Sequence, residues 1–285
     1  MIPPRNISSL SNRLAAGGGH RIPETVLERD YCIAWFLVGL SRSLLRNQLA
    51  FKGGTALKRC FFGDYRFSED LDFTLVDEVS FEIILAGLDR LFEDVRQLSG
   101  VSLRYAREDR HSHANTYAFY IGYEGPLPGG RKEIRVDITI RELIVSPLIE
   151  RSVLRAYEEY TDLPEDALIR VYALEEIATE KIMAVTDPAR NEPRDLYDLW
   201  FLVDGGHVEL TDLGEALRQK LAFKGRAVRR LREVLVGKET RLRRDWERRL
   251  SDQMAQLPPF DAVFRAVQRS LRQAGLEGRG SSRER

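Results

Sequence analysis

Two carboxylates two residues apart open the run Asp70-Leu71-Asp72-Phe73-Thr74-Leu75, which alternates polar and apolar side chains. That alternation marks a half-buried strand, whose successive side chains leave opposite faces. Asp70 and Asp72 then share a face, roughly 6–7 Å apart along the chain. Paired hard oxygens at this spacing suit magnesium, and displacement at phosphorus often uses two such ions roughly 4 Å apart. A third acid, Asp137, lies among apolar neighbours in Ile134-Arg135-Val136-Asp137-Ile138-Thr139. It completes the set as a metal ligand, or as base for an attacking hydroxyl.

Upstream, the strand candidate Leu49-Ala50-Phe51 runs into Lys52-Gly53-Gly54-Thr55. Two glycines let the backbone approach a triphosphate, and amides at the start of a following helix favour an anion. Thr55 adds a hydroxyl donor, while Lys52 and Arg66 flank the motif and can neutralise phosphate charge. Each piece alone has a plainer reading: a tight turn, two solvated carboxylates, an edge-strand charge. Their joint order carries the inference. Strand, Gly-Gly and helix are followed by a strand-borne Asp-x-Asp and then a strand-borne Asp. The chemistry expected is nucleotidyl transfer dependent on Mg²⁺, or on Mn²⁺ in its place.

The elements that must position these residues follow from periodicity. Pro23 to about Leu45 is helical in pattern, as are Ala56–Phe62 and Phe81–Leu98. Strands are expected at 101–106, 116–123 and 133–140, the last two joined by a turn at Gly125–Gly130. From Leu174 onward the pattern is helical, near 174–186, 193–203, 211–222, 226–236, 239–250 and 260–274. The expected organisation is a flexible arm over 1–20, an α/β domain over 21–164, a helical domain over 165–275 and a disordered tail over 276–285. His111-Ser112-His113 reads as a polar loop. Tyr157 and Tyr160 could stack on a base, but packing is the plainer role.

The run Phe51-Lys52-Gly53-Gly54-Thr55-Ala56-Leu57, followed by Tyr65-Arg66-Phe67-Ser68-Glu69-Asp70-Leu71-Asp72-Phe73, resembles the AbiEii/AbiGii toxin family of nucleotidyltransferases, including its MenT-like members. A second similar block is Glu175-Glu176-Ile177-Ala178-Thr179-Glu180-Lys181-Ile182, continuing to Arg194-Asp195-Leu196-Tyr197-Asp198-Leu199. The resemblance spans about residues 25–205. It implies a polymerase-β-like α/β nucleotidyltransferase domain with a mixed sheet, then an all-helical C-terminal domain. It also implies a toxin that transfers NMP from an NTP to an RNA, with a tRNA 3′ end as leading acceptor, blocking translation and growth. A cognate antitoxin is implied as partner.

The same resemblance assigns Lys181 to the triphosphate and Asp195 to fixing Lys181 or a metal-bound water. Without it, Lys181 would be a solvated helix-face charge and Asp195 a dipole partner in a first helical turn. Arg190 and Arg194 could bind phosphate or pair with Glu192 and Asp198. Small-molecule or protein acceptors, and a non-catalytic RNA-binding module, remain the alternatives to an RNA acceptor.

Composition bounds the rest. The 285 residues carry no formal net charge, but Arg218–Arg249 holds thirteen basic residues against four acidic ones. Such local excess is the footprint of a nucleic-acid binder, with Arg229, Arg230, Arg243 and Arg244 as candidate RNA contacts. Cys32 and Cys60 sit in apolar runs and read as buried thiols of a reducing compartment. No apolar stretch is long enough to span a bilayer, so the expected location is the cytoplasm.

Overall fold

The computed structural model describes residues 1–110, 114–226 and 231–276. The chain divides into two compact units. The first comprises Met1–Glu142, Leu148–Val171 and Asp252–Ala255; the second comprises Leu143–Pro147, Tyr172–Ser251 and the residues from Gln256 onward.

In the first unit the order is α1 (Pro4–Ala16), α2 (Glu24–Arg42), β1 (Leu49–Lys52), α3 (Gly53–Ala56), β2 (Asp70–Leu75), α4 (Phe81–Ser99), β3 (Ser102–Glu108), β4 (Thr116–Glu124), β5 (Glu133–Thr139), β6 (Ile149–Ser152) and β7 (Leu168–Val171). After Ala56 the backbone continues through Phe61 as a wider helical turn. The strands form one mixed sheet ordered β3-β4-β5-β2-β1-β7-β6. The pairs β2–β5 and β1–β7 are parallel and the others antiparallel.

Helices cover one face of this sheet. Phe36 of α2 meets Phe73 of β2 at 6.2 Å between ring centroids. Phe81 of α4 stacks on Tyr117 at 4.9 Å and leans on Phe119 at 5.7 Å. The two helices also lie close together, since a Cβ on Gly39 would come within 2.5 Å of the Val95 side chain. Because strands alternate, the residues between these aromatics leave the opposite face. That face carries the acids.

Three departures from the sequence reading have physical causes. Residues 4–16 form a helix rather than a loose arm, because Ile7 and Leu10, three apart, are fully buried. Arg13 adds two hydrogen bonds of 2.7 Å to Glu159. The strands β6 and β7 are only four residues each, too short to show a period, and β7 continues the sheet beside β1. The sheet-bearing unit therefore runs to Val171 rather than to 164.

A buried polar cluster ties this unit together. Arg59, wholly buried, pairs with the Asp30 carboxylate and donates to the carbonyls of Asp30 and Leu154 at 2.8 and 3.1 Å. Lys58 donates to the carbonyls of Gly63 and Tyr65 and to the Tyr157 hydroxyl, and burial lowers its pKa to about 8. Tyr157 and Tyr160 are buried packing residues, as their plainer reading held, although neither lies on a helix. Cys32 and Cys60 are free, buried thiols; burial raises both, Cys60 to about 12.

The second unit contains α5 (Leu174–Val185), α6 (Pro193–Asp204), α7 (Gly214–Phe223), α8 (Leu231–Gly237), α9 (Glu239–Leu250) and α10 (Phe260–Gln273). Its core is built from Ile177, Ile182, Leu196, Leu199, Leu217, Leu242, Trp246 and Val263. Among the described residues no helix is long and apolar enough to cross a membrane.

Candidate active site

The opposite sheet face collects the acids by register. Asp72 of β2 lies opposite Asp137 of β5 on one side and Lys52 of β1 on the other. Asp70, one pleat along β2, lies opposite Arg135. Adjacent strands are about 4.8 Å apart, so the three carboxylates project from neighbouring positions. Asp70, Asp72 and Asp137 are all half-buried.

Gly53 is fitted to this corner. It adopts φ +80°, a left-handed conformation that favours glycine. A Cβ there would stand 2.6 Å from Asp72 Oδ2, so any side chain would strike the carboxylate. Thr55 is buried, and its hydroxyl donates to the Asp70 carbonyl at 2.5 Å. This bond fixes the turn to β2, a positioning role that differs from the expected phosphate contact. Lys52 is half-buried beside Asp72. Arg66 is buried, its guanidinium donating to the Gln253 side chain at 3.0 Å and the Phe67 carbonyl at 3.2 Å. The structure thus places it inside the fold, contrary to its expected place against phosphate.

Arg135 was missed in the sequence, although its i, i+2 spacing to Asp137 puts both on one strand face. It pairs with Asp137 at 2.9 Å and with Asp109 at 3.0 Å. Burial holds the Asp137 carboxyl above the ordinary carboxylate range; Arg135 opposes this, while Asp70 and Asp109 add to it.

Among the described residues no three His, Cys, Asp or Glu side chains are gathered closely enough to hold a metal ion as they stand. Asp137 instead faces Arg135. The donor set still fits magnesium. Three carboxylates on adjacent strand positions offer hard oxygens, and their mutual repulsion is what a divalent cation relieves.

The second cluster belongs to the helical unit. Lys181 of α5 is held between Asp195 at 2.8 Å and Asp198 at 2.7 Å, both on α6. Arg190 donates to Asp195 at 2.5 Å. Burial opposes the Asp195 charge, but Lys181 and then Arg190 outweigh it and hold its pKa well below the usual range. The sequence anticipated the link from Asp195 to Lys181. Asp198 was placed with the arginines and instead meets Lys181, while Arg190 meets Asp195 and Arg194 lies 3.8 Å from Glu192.

Several charges of the basic arm have partners, some from other segments and some from the arm itself. Lys220 is buried on Glu176 at 2.5 Å and Glu180 at 3.1 Å. Lys238 donates to the carbonyls of Val185, the last residue of α5, and of Asp187. Arg243 is bound by Asp261 and Glu239, and Arg244 and Arg248 share Asp245. Arg229 and Arg230, like His111-Ser112-His113, lie outside the described residues.

The family model "Nucleotidyl transferase AbiEii toxin, Type IV TA system" matches residues 35–266. No curated protein sequence gives a significant match. Among solved structures, MenT4, a nucleotidyltransferase toxin from Mycobacterium tuberculosis H37Rv, superposes with TM-score 0.64 at 19% identity, covering 94% of this chain and 89% of that one. JHP933 from Helicobacter pylori gives TM-score 0.56 at 19% identity, covering 89% and 93%. A further putative nucleotidyltransferase from H. pylori gives 0.57 at 19% identity, covering 89% and 96%. At this identity the structures establish a shared fold.

Proposed function

From the premise that the chain belongs to the AbiEii family of nucleotidyltransferase toxins of type IV toxin–antitoxin systems, we infer that it transfers NMP from an NTP to an RNA acceptor, with a tRNA 3′ end as the leading candidate. The acceptor hydroxyl oxygen bonds to the α-phosphorus, the α–β P–O bond breaks, and pyrophosphate leaves with that electron pair. Asp137 is assigned the hydroxyl proton, or a share in holding metal. Asp70 and Asp72 are the assigned metal ligands. Bound Mg²⁺ supplies charge neutralisation and Lewis-acid polarisation of the phosphate oxygens. Gly53 and Gly54 bring main chain up to the triphosphate beside Lys52. The roles of Lys181 and Asp195 toward the triphosphate rest on the family resemblance.

The observation that carries the reading is the meeting of Gly53 with Asp72, itself opposite Asp137. Main chain at a left-handed glycine, bare of side chain and set beside facing carboxylates, is the arrangement a triphosphate with its metal would need. A cognate antitoxin follows at the level of the family, and a cytoplasmic location is part of the same proposal. Incubation of the protein with each labelled NTP, Mg²⁺ and total RNA, resolved on a gel, tests the reading. Label migrating with RNA supports it. Label on protein or on a small molecule moves the acceptor elsewhere, and no label with any acceptor refutes transfer.

A further inference from the structure

We propose that the acidic sheet face continues across β4 and β3 as a track for the single-stranded 3′ end of the RNA, with Tyr120 and Arg107 as its stacking platform. This rests on the nucleotidyl-transfer reading and adds where the acceptor lies. Strand register lays out the track. From Asp70 the row runs to Arg135 on β5, Tyr120 on β4 and Arg107 on β3. The neighbouring rows cross β4 at Ala118, opposite Asp137, and at Gly122, opposite Arg104. Three strand spacings span roughly 15 Å, so the platform begins close enough for one chain end to touch it and the acids together.

The side chains make a surface suited to bases. The Arg107 guanidinium carbon lies 3.7 Å from the Tyr120 ring centroid, a close cation–π stack. Arg107 is 44% exposed and Tyr120 half-buried, so the pair is open to solvent. Ala118 and Gly122 flank Tyr120 and raise little above the sheet. A Cβ at Gly122 would meet the Arg104 guanidinium at 3.3 Å, so that group lies directly over the bare backbone. Rings and guanidinium planes stack unpaired bases regardless of sequence, whereas a duplex keeps its bases inside.

Charge favours the same occupant. Glu133 serves both Arg107 and Arg131, while Arg104 meets Glu124 and Arg135 meets Asp109. Four arginines, Arg104, Arg107, Arg131 and Arg135, are thus set along this edge. Exposed ion pairs of this type are weak, so backbone phosphates can displace the glutamates. A peptide partner would gain little from a guanidinium already stacked on a ring, whereas a base extends the stack.

The test compares parent, Arg107→Ala, Tyr120→Ala and Tyr120→Phe. KM is measured for RNA and for NTP, and Kd for an oligonucleotide with a single-stranded 3′ end. Both alanine variants should raise RNA KM and Kd about tenfold, the scale of one lost base stack, while NTP KM and Tm stay at parental values. Tyr120→Phe should remain close to the parent, because the ring is kept. If the parent labels RNA but both alanine variants match its RNA KM and Kd, the track is wrong and the transfer reading stands. That same result follows if the face binds a protein instead. If the parent puts no label on RNA, the transfer reading itself falls, and the track falls with it.

Discussion

Lys181 illustrates how one residue can be legible in type and not in setting. A lysine one turn along α5 was readable from the sequence, but its two carboxylate partners lie on α6. Lys181, Arg190, Asp195 and Asp198 sum to no net charge, so a triphosphate reaching Lys181 must compete with buried aspartates. Lys181→Ala should raise the KM for NTP about tenfold or more, the scale of a lost charge-assisted hydrogen bond. It should also lower Tm, because Asp195 and Asp198 are buried and would lose their shared cation. Lys181→Arg should recover only part of either, since a planar fork replaces a compact ammonium. Measured NTP KM values separate the roles: a parental KM with a lowered Tm would make Lys181 a structural residue only.

At the scale of elements, β2 and β5 were readable because each shows its period before partners are known, and β1 as a short apolar run leading into Gly53-Gly54. The Gly53-Gly54 turn was readable from its place between a strand and a helix, ahead of the strand-borne acids. Helix α1 and strands β6 and β7 were not read: the strands are four residues each, and α1 is held by Ile7 and Leu10 and by the pair Arg13–Glu159, a partner far along the sequence. The Tyr120–Arg107 stack needed the register between β3 and β4, including the irregularity between Tyr105 and Arg107. No local pattern reveals that. The same holds for Asp30 on α2 and Arg59 beyond α3, joined only by folding. Removing one partner of a buried pair strands the other charge, so Asp30→Ala should destabilise the protein by about 3–5 kcal/mol. Urea unfolding of the full chain checks this, and a loss under about 1 kcal/mol would show that solvent reaches Arg59 after all.

For the whole molecule, zero net charge conceals where the charge is used. The thirteen basic residues of the arm suggested a nucleic-acid surface, yet Lys220, Arg226 and Arg243 meet the distant acids Glu176, Asp187 and Asp261, and Arg244 shares Asp245 with Arg248. Charge counted along a sequence misses neutralisation made by folding. Reversing Arg243 and Arg244 to Glu should therefore change RNA Kd less than threefold, and the slope of log Kd against log salt should stay parental. A slope reduced by about 0.7–0.9 per reversed residue would return RNA contacts to the arm. The central claim is that Asp70, Asp72 and Asp137 form one metal-dependent transfer centre. Its most direct test is label transfer from NTP to RNA by parent, Asp70→Asn and Asp72→Asn across a Mg²⁺ titration, with Tm measured in parallel. The account predicts that both variants keep the parental Tm and lose transfer at least 10²-fold at every Mg²⁺ concentration, a scale at which single catalytic groups act. Parental transfer with an unchanged Mg²⁺ dependence in both would contradict it.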